Sequence, residues 1–330
     1  MRFLLDDEQR EFARSLDAML TASDTPGAVR AWATGDTAPG RALWSRLAEA
    51  GVFALAVPEP YEGLGPLPVE LAVSFSELGR HAVPGPLVET VAAAALLDRL
   101  GDHEAAAAWL PRIASGKAVV SLCVPAAGSP YALDADATDA ALVVEGDTVL
   151  LTEDAGTVQP SADPARRLAR PLGGTVLARG PQVAAAAAHA ADVAALVTAA
   201  QALGLGRALL DRTVAYVKQR TQFGVAIGSF QAVKHRLADT LIALEFAQPL
   251  LHAAALALAG GDGPEAGRAI AAAKVTAGDA ACTAARTALQ LHGAVGYTDE
   301  LDLSLWIRKA RPLREAWGTP TACRARVLAP

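Results

Sequence analysis

Arg220 and Gln222 lie two residues apart in the run Arg220-Thr221-Gln222-Phe223-Gly224, with Gly228 four residues beyond. Glycines at those places permit a tight turn beside a helix start. An arginine held there suits a bidentate grip on phosphate oxygens, whereas in isolation it reads as a solvated loop residue. Arg308, Lys309, Arg311 and Arg314 form a second basic cluster. It fits the charge bias of a helix C-terminus, with phosphate binding as the sharper alternative. His235 and His292 have no cysteine or carboxylate partner at ligand spacing, so no metal centre is expected. Ser129 and Ser229 have no neighbouring histidine, and no G-x-S-x-G elbow is present, which leaves no serine nucleophile to propose.

The elements that must position these groups are mostly helices. Of 330 residues, 52% are hydrophobic and 19% charged, which excludes general disorder and suffices for two or three domains. Aromatics are only 5% and much of the apolar share is alanine, which favours close-packed helices over a β sandwich. Cys123, Cys282 and Cys323 are odd in number and far apart, so a reducing compartment is expected rather than a disulfide scaffold. A net charge of −6 weighs against a nucleic-acid partner. The most apolar stretch, Val183 to Leu205, is mostly alanine and is interrupted by His189, Asp192 and Gln201, so no membrane span is expected. Asp6, Asp7 and Glu8 stand where a signal peptide would carry its apolar core. The expectation is a soluble cytoplasmic protein.

Three regions follow from the patterning. Residues 1–117 alternate helical runs with Gly/Pro punctuation. Leu5, Phe12, Leu16, Met19 and Leu20 begin them, Val69–Leu78 and Val88–Leu100 continue them, and Val57–Pro66 must be a loop. Residues 118–180 form a small β module with strands near 119–124, 141–144 and 148–151, turning at Glu145-Gly146-Asp147. Residues 181–330 are helical again. Phe230, Val233, Leu237, Leu241 and Leu244 form an apolar stripe, Gly260–Pro264 breaks the run, and a helix follows from Glu265 to about Leu291. Long helices joined by short loops suggest an antiparallel bundle.

Within that order of elements, Arg220 to His235 resembles the signature of the acyl-CoA dehydrogenase family, an R-x-Q-F-G turn before a helix opening with F-Q, here Phe230-Gln231. Gln290-Leu291-His292-Gly293-Ala294-Val295-Gly296-Tyr297 resembles its Q-x-x-G-G-x-G-Y segment, with Ala294 replacing the second glycine. Trp44, Leu47 to Val52, Val57-Pro58-Glu59 and Gly63-Leu64-Gly65 resemble its N-terminal helical domain. The resemblance implies a mainly α fold with an N-terminal helical domain, a reduced middle β domain and a C-terminal four-helix bundle. It also implies FAD shared across a subunit interface, its pyrophosphate held by Arg220 and Gln222. Phe223, Phe230, Gln231, Gln290, His292, Gly293, Ala294 and Thr319 are the further cofactor-binding positions it suggests. Small residues at 290–294 suit a close approach of flavin phosphates or adenosine, and equally a helix C-cap.

The remaining motifs depart from the family. Cys123-Val124-Pro125-Ala126-Ala127-Gly128-Ser129 resembles its T-E-P-x-A-G-S loop without the Thr and Glu, and Ser129 is the substrate-side candidate. The nearest match to its W-[IT]-[TS] segment is Leu150-Leu151-Thr152. The chain is short for the family, with the shortfall in the β module. The family's chemistry is α-proton abstraction from a thioester with hydride transfer to flavin, which needs one poised carboxylate. Aligned on Y-E-G-T, Gly318-Thr319 puts Trp317 in the position of that carboxylate, and the alternative position on the first bundle helix holds Ala194 or Ala195. Trp317 is read as a plug of the acyl cavity. Glu315 is the weak replacement candidate, otherwise an ion-pair partner of Arg311 or Arg314; two residues along a helix rotate a side chain about 200°. The reading is therefore a base-lacking partner in an α2β2 enzyme acting on acyl-CoA, resembling paired actinobacterial enzymes for bulky or steroid-side-chain thioesters. The alternatives are a homo-oligomer using Glu315 and a flavin-free scaffold.

Overall fold

The computed structural model describes residues 4–261 and 263–329. Met1 to Phe3 of the N-terminal segment and Asp262 of the Gly260–Pro264 break lie outside the described residues. Asp6 starts the first helix through a reciprocal capping box: its Oδ1 accepts the Gln9 N–H at 2.8 Å, and Gln9 Oε1 accepts the Asp6 N–H at 3.1 Å. Six helices follow one another: α1 (Asp7–Thr21), α2 (Thr25–Ala33), α3 (Ala38–Glu49), α4 (Pro68–Arg80), α5 (Leu87–Arg99) and α6 (His103–Ala114). Between α3 and α4 the Pro/Gly-rich segment is a loop with short 3-10 turns, as its composition requires. α5 is buried at every position from Leu87 to Leu97, Glu89 and Thr90 included. A helix apolar all round belongs at the centre of a core.

The β module holds β1 (Val120–Cys123), β2 (Ala132–Leu133), β3 (Ala140–Glu145), β4 (Thr148–Thr152), β5 (Val158–Gln159), β6 (Leu168–Ala169) and β7 (Thr175–Arg179). One sheet has the order β1-β3-β4-β7, with β1 parallel to β3 and the other pairs antiparallel. A second, small sheet has the order β2-β6-β5. Sequence patterning indicates β1, β3 and β4 but not the other four. Three of those are two residues long, too short for alternation to register, and β7 is an edge strand with Thr175 and Val176 exposed. The module is fastened to the bundle by a buried ion pair, Lys309 Nζ to Asp163 Oδ2 at 2.7 Å.

The C-terminal part consists of α7 (Gln182–Gln219), a hairpin of β8 (Thr221–Gln222) and β9 (Val225–Ala226), α8 (Gln231–Ala259), α9 (Pro264–His292), α10 (Leu303–Glu315) and α11 (Pro320–Leu328). α9 packs against α7, α8, α10 and α11, while α7 also lies on α4 and α5. The α4–α7 crossing is so close that a Cβ on Gly204 would stand 1.8 Å from the Ser76 carbonyl oxygen, which only glycine tolerates. The α8 stripe is not a wholly buried face. Leu244 is buried and Leu237 half-buried, but Phe230 and Leu241 are exposed, together with Ile242, Phe246 and Leu250. α8 is apolar on more than one side, so periodicity locates the helix without choosing its inner face. By length and composition alone α7 and α8 are long and apolar enough to cross a membrane, a test that buried core helices also pass. The apolar window of α7 is 67% buried within the bundle, that of α8 only 33%.

Candidate functional site

α7 ends at Arg220, whose carbonyl accepts the Ile227 N–H at 2.8 Å and closes the β8–β9 hairpin. Its two central residues, Phe223 and Gly224, both have positive φ, 54° and 77°. That is the backbone of a two-residue primed turn, easy for glycine and strained for phenylalanine. Phe223 is nonetheless 92% exposed, touching Phe230 edge-on with ring centroids 6.3 Å apart. Arg220, Gln222 and Gln231 are exposed beside it. The end of α9 joins this surface, because Gln290 Oε1 accepts a hydrogen bond from Arg236 of α8. Gly293, at φ 62°, and Ala294 are exposed there, and a Cβ on Gly293 would meet nothing within 4 Å. The Arg220 guanidinium and the Gln222 and Gln231 amides are thus exposed on the same side as Gly293, whose own N–H is held by the carbonyls of Gln290 and Leu289 and whose Cα faces open space. His292 is placed differently from expectation. It is buried, stacked on Tyr216 at 4.0 Å, with Nδ1 2.8 Å from the Ala288 carbonyl, and burial lowers its pKa. It braces α7 against α9 from beneath rather than facing a ligand.

Trp317, Glu315, Ser129 and Thr319 are elsewhere. Trp317 is buried with φ 51°, a costly conformation for a bulky side chain. Its Nε1 donates to Glu89 Oε1 at 3.0 Å. Lys274, buried in α9, secures the segment by donating to the carbonyls of Arg314 at 2.9 Å and Gly318 at 3.2 Å. Burial pushes the Lys274 ammonium down to about 8. Glu315 is exposed and accepts from Arg314 Nη1 at 2.9 Å, as one of the sequence alternatives has it. A cavity of about 300 Å³ lies beside Trp317 and Glu89 and includes Ser129 and Glu315 in its wall. Thr319 caps α11, accepting the Ala322 N–H at 3.3 Å, and faces a separate groove of about 420 Å³. That groove is lined mainly by Pro125 to Gly128, Ala191, Ala195, Ile270 and Ala271, and Arg326, paired with Asp192, lies in it.

Glu89 and Lys274 were not singled out by the sequence motifs. A lone charge inside an apolar helical run was the available signal in both cases, Val88–Leu97 for the first and the alanine-rich 269–278 for the second. A third cluster joins α1 to α4. Asp17, Glu77 and His81 bring their ligand atoms within 4.8 Å of one another, which residue spacing does not reveal. His81 Nε2 is 2.8 Å from Asp17 Oδ1, and Arg80 Nε is 3.8 Å from the same oxygen, so the cluster is already occupied by a cation and an imidazole. Burial pushes the Glu77 carboxyl up to about 7. Below about pH 4.5 Glu77 is protonated folded and unfolded alike; between there and about 7 the unfolded chain releases the proton and the folded chain does not. Stability from this group therefore falls across that window. Glu77→Gln is expected to stabilise the protein above pH 7 by about 1–3 kcal/mol and to change little near pH 4, measured by denaturant unfolding at the two pH values.

Comparison with known proteins gives a consistent set of relatives. Residues 6–117 match the model described as acyl-CoA dehydrogenase, N-terminal domain, and residues 184–328 that described as acyl-CoA dehydrogenase, C-terminal domain. The chain is 32% identical over 317 residues to the acyl-CoA dehydrogenase IpdE2 of Mycolicibacterium smegmatis, covering 95% of this chain and 96% of that one. Among solved structures it is similar to the Tcur3481-Tcur3483 steroid ACAD, with TM-score 0.83, 25% identity, and 97% and 96% of the two chains covered. It is also similar in fold to the ChsE4-ChsE5 complex of Mycobacterium tuberculosis, with TM-score 0.84, 24% identity, and 99% and 98% covered.

Proposed function

Because the chain belongs to the acyl-CoA dehydrogenase family, whose members are FAD-dependent oxidoreductases, we propose that it is the base-lacking partner in an α2β2 enzyme. In this reading it extends its Arg220–Gln231 turn and its Gln290–Ala294 segment to FAD bound mainly by a catalytic subunit. Residues 1–117, 118–180 and 181–330 are its three units. Bulky or steroid-side-chain CoA thioesters are the substrates, by likeness to the steroid ACAD, and the cytoplasm is the place of action.

One separation carries this reading. Thr319 faces its groove together with Ile270, whereas Gln290 belongs to the other surface, and both Ile270 and Gln290 lie on α9. Twenty residues at 1.5 Å per residue place them about 30 Å apart, farther than a flavin ring stands from its own pyrophosphate. The two surfaces therefore cannot serve one flavin, and the outer one needs another chain to complete its site. The outer surface suits the pyrophosphate end. Arg220 supplies a fork of donors, Gln222 and Gln231 supply amides, and Gly293 admits a close approach of backbone. The strained, exposed Phe223 and the apolar outer side of α8 support a partner that covers them.

The chain's own groove suits a flavin ring poorly. Its walls are largely alanine, the family's loop Thr and Glu are replaced by Cys123 and Val124, and the Arg326–Asp192 pair stands within it. FAD, when bound at the shared site, supplies the acceptor for the substrate's β-hydride. This chain anchors its phosphate end, while Trp317 occupies the position of a base without being able to take a proton. Glu315→Gln in the assembled enzyme is expected to leave kcat within about twofold, whereas loss of a general base costs about 10²–10⁴-fold. A steady-state loss of that second size would place the proton abstraction in this chain.

A further inference from the structure

The cavity beside Trp317 keeps features that a merely filled-in site would lose. Glu89 is only 3% exposed and forms part of its wall. One carboxyl oxygen of Glu89 accepts the Trp317 N–H, and the other, also buried, has no hydrogen-bond partner among the described residues. An unsatisfied buried oxygen is a penalty that a ligand would relieve. Arg166 and Arg311 form part of the same wall, and Arg166 is close enough to Glu89 to act on its charge. Glu315, the other acid of the wall, is already neutralised by Arg314. The space, about 300 Å³, lies at the small end of ligand sites and is partly walled by Leu133 and Leu168.

We propose that this cavity binds a small carboxylate, gripped by Arg166 and Arg311 and hydrogen-bonded to Glu89, with its carbon chain against Leu133, Leu168 and Trp317. Two arginines exclude a cation. Planar, forked guanidinium groups match a carboxylate. Burial raises the Glu89 pKa against the opposing pull of Arg166, which favours the protonated carboxyl, with an O–H to offer, over a second negative charge. The carboxylate belongs either to a free acid or to the far end of an acyl-CoA.

Isothermal titration of the full chain with glutarate, glutaryl-CoA, butyryl-CoA and the neutral diamide glutaramide tests this. Glutarate binding identifies a free acid, and binding of glutaryl-CoA without glutarate or butyryl-CoA identifies an acyl terminus; either supports the site. Arg166→Gln and Arg311→Gln, both at accessible positions, are each expected to weaken binding about tenfold or more. Glu89→Gln, which keeps a donor and nearly the same shape, should bind within about threefold of the parent, while Glu89→Met should lose binding about tenfold. Equal affinity for glutaramide, binding untouched by the arginine changes, or no binding of any probe at millimolar concentration would overturn the proposal. Neither flavin nor a partner enters the measurement, so its failure is distinguishable from failure of the subunit role proposed above.

Discussion

Arg220→Ala in this chain is expected to reduce FAD retention by the assembled enzyme about 10–100-fold, since a hydrogen bond to a charged group contributes about 1.5–3 kcal/mol. Arg220 sits at the C-terminal end of α7, exposed, with its backbone fixed by the hairpin that follows. Its substitution should therefore leave the fold intact and act on the ligand alone. Arg220→Lys keeps the charge but not the fork, so an intermediate retention is expected. Flavin fluorescence released after dialysis, compared across the three proteins, reads the effect. Unchanged flavin content in Arg220→Ala would remove the arginine from the site and with it half of the shared-cofactor reading.

The largest stability effect is expected at the buried pair that fastens the β module to α10. Asp163→Ala leaves the Lys309 ammonium, 5% exposed, without its partner at 2.7 Å. Removing one member of a buried pair costs about 3–5 kcal/mol, because the remaining charge stays desolvated. Asp163 Oδ1 also accepts the Ala165 N–H at 3.0 Å, so the 161–169 segment should loosen first, visible as faster amide exchange there than in α9. Replacing both members by apolar residues, Asp163→Leu with Lys309→Met, is expected to recover most of the loss. If the double variant were no more stable than Asp163→Ala, packing or the Ala165 cap rather than the charge would account for the cost.

Much of this molecule was legible from residue order, and the illegible parts share a cause. Gly224 with Arg220, and Gly293 with Gln290, mark backbone turns by residue type, so both turns of the outer surface are legible in residue order. The Trp317 substitution was equally plain, because a motif position either holds a carboxylate or does not. His292 misled, because a motif fixes a residue's place along the chain but not which way its ring turns; stacking on Tyr216 decides that. Glu89 meets Trp317 across 228 residues of sequence, and Lys274 meets the carbonyl of Gly318 across 44. Such contacts are products of tertiary packing and leave no local spacing to read. The two-residue strands β2, β5 and β6 are likewise held by partners rather than by propensity.

The central claim is that this chain completes a flavin site it cannot form by itself. The most direct measurement is the flavin-to-chain ratio and acyl-CoA turnover of the protein purified alone and co-purified with a catalytic partner of the same family. Alone, the chain is expected to be colourless and inactive; with the partner, it should carry FAD and turn over, and lose both with Arg220→Ala in this chain. A yellow, fully active enzyme from this chain alone would contradict the account.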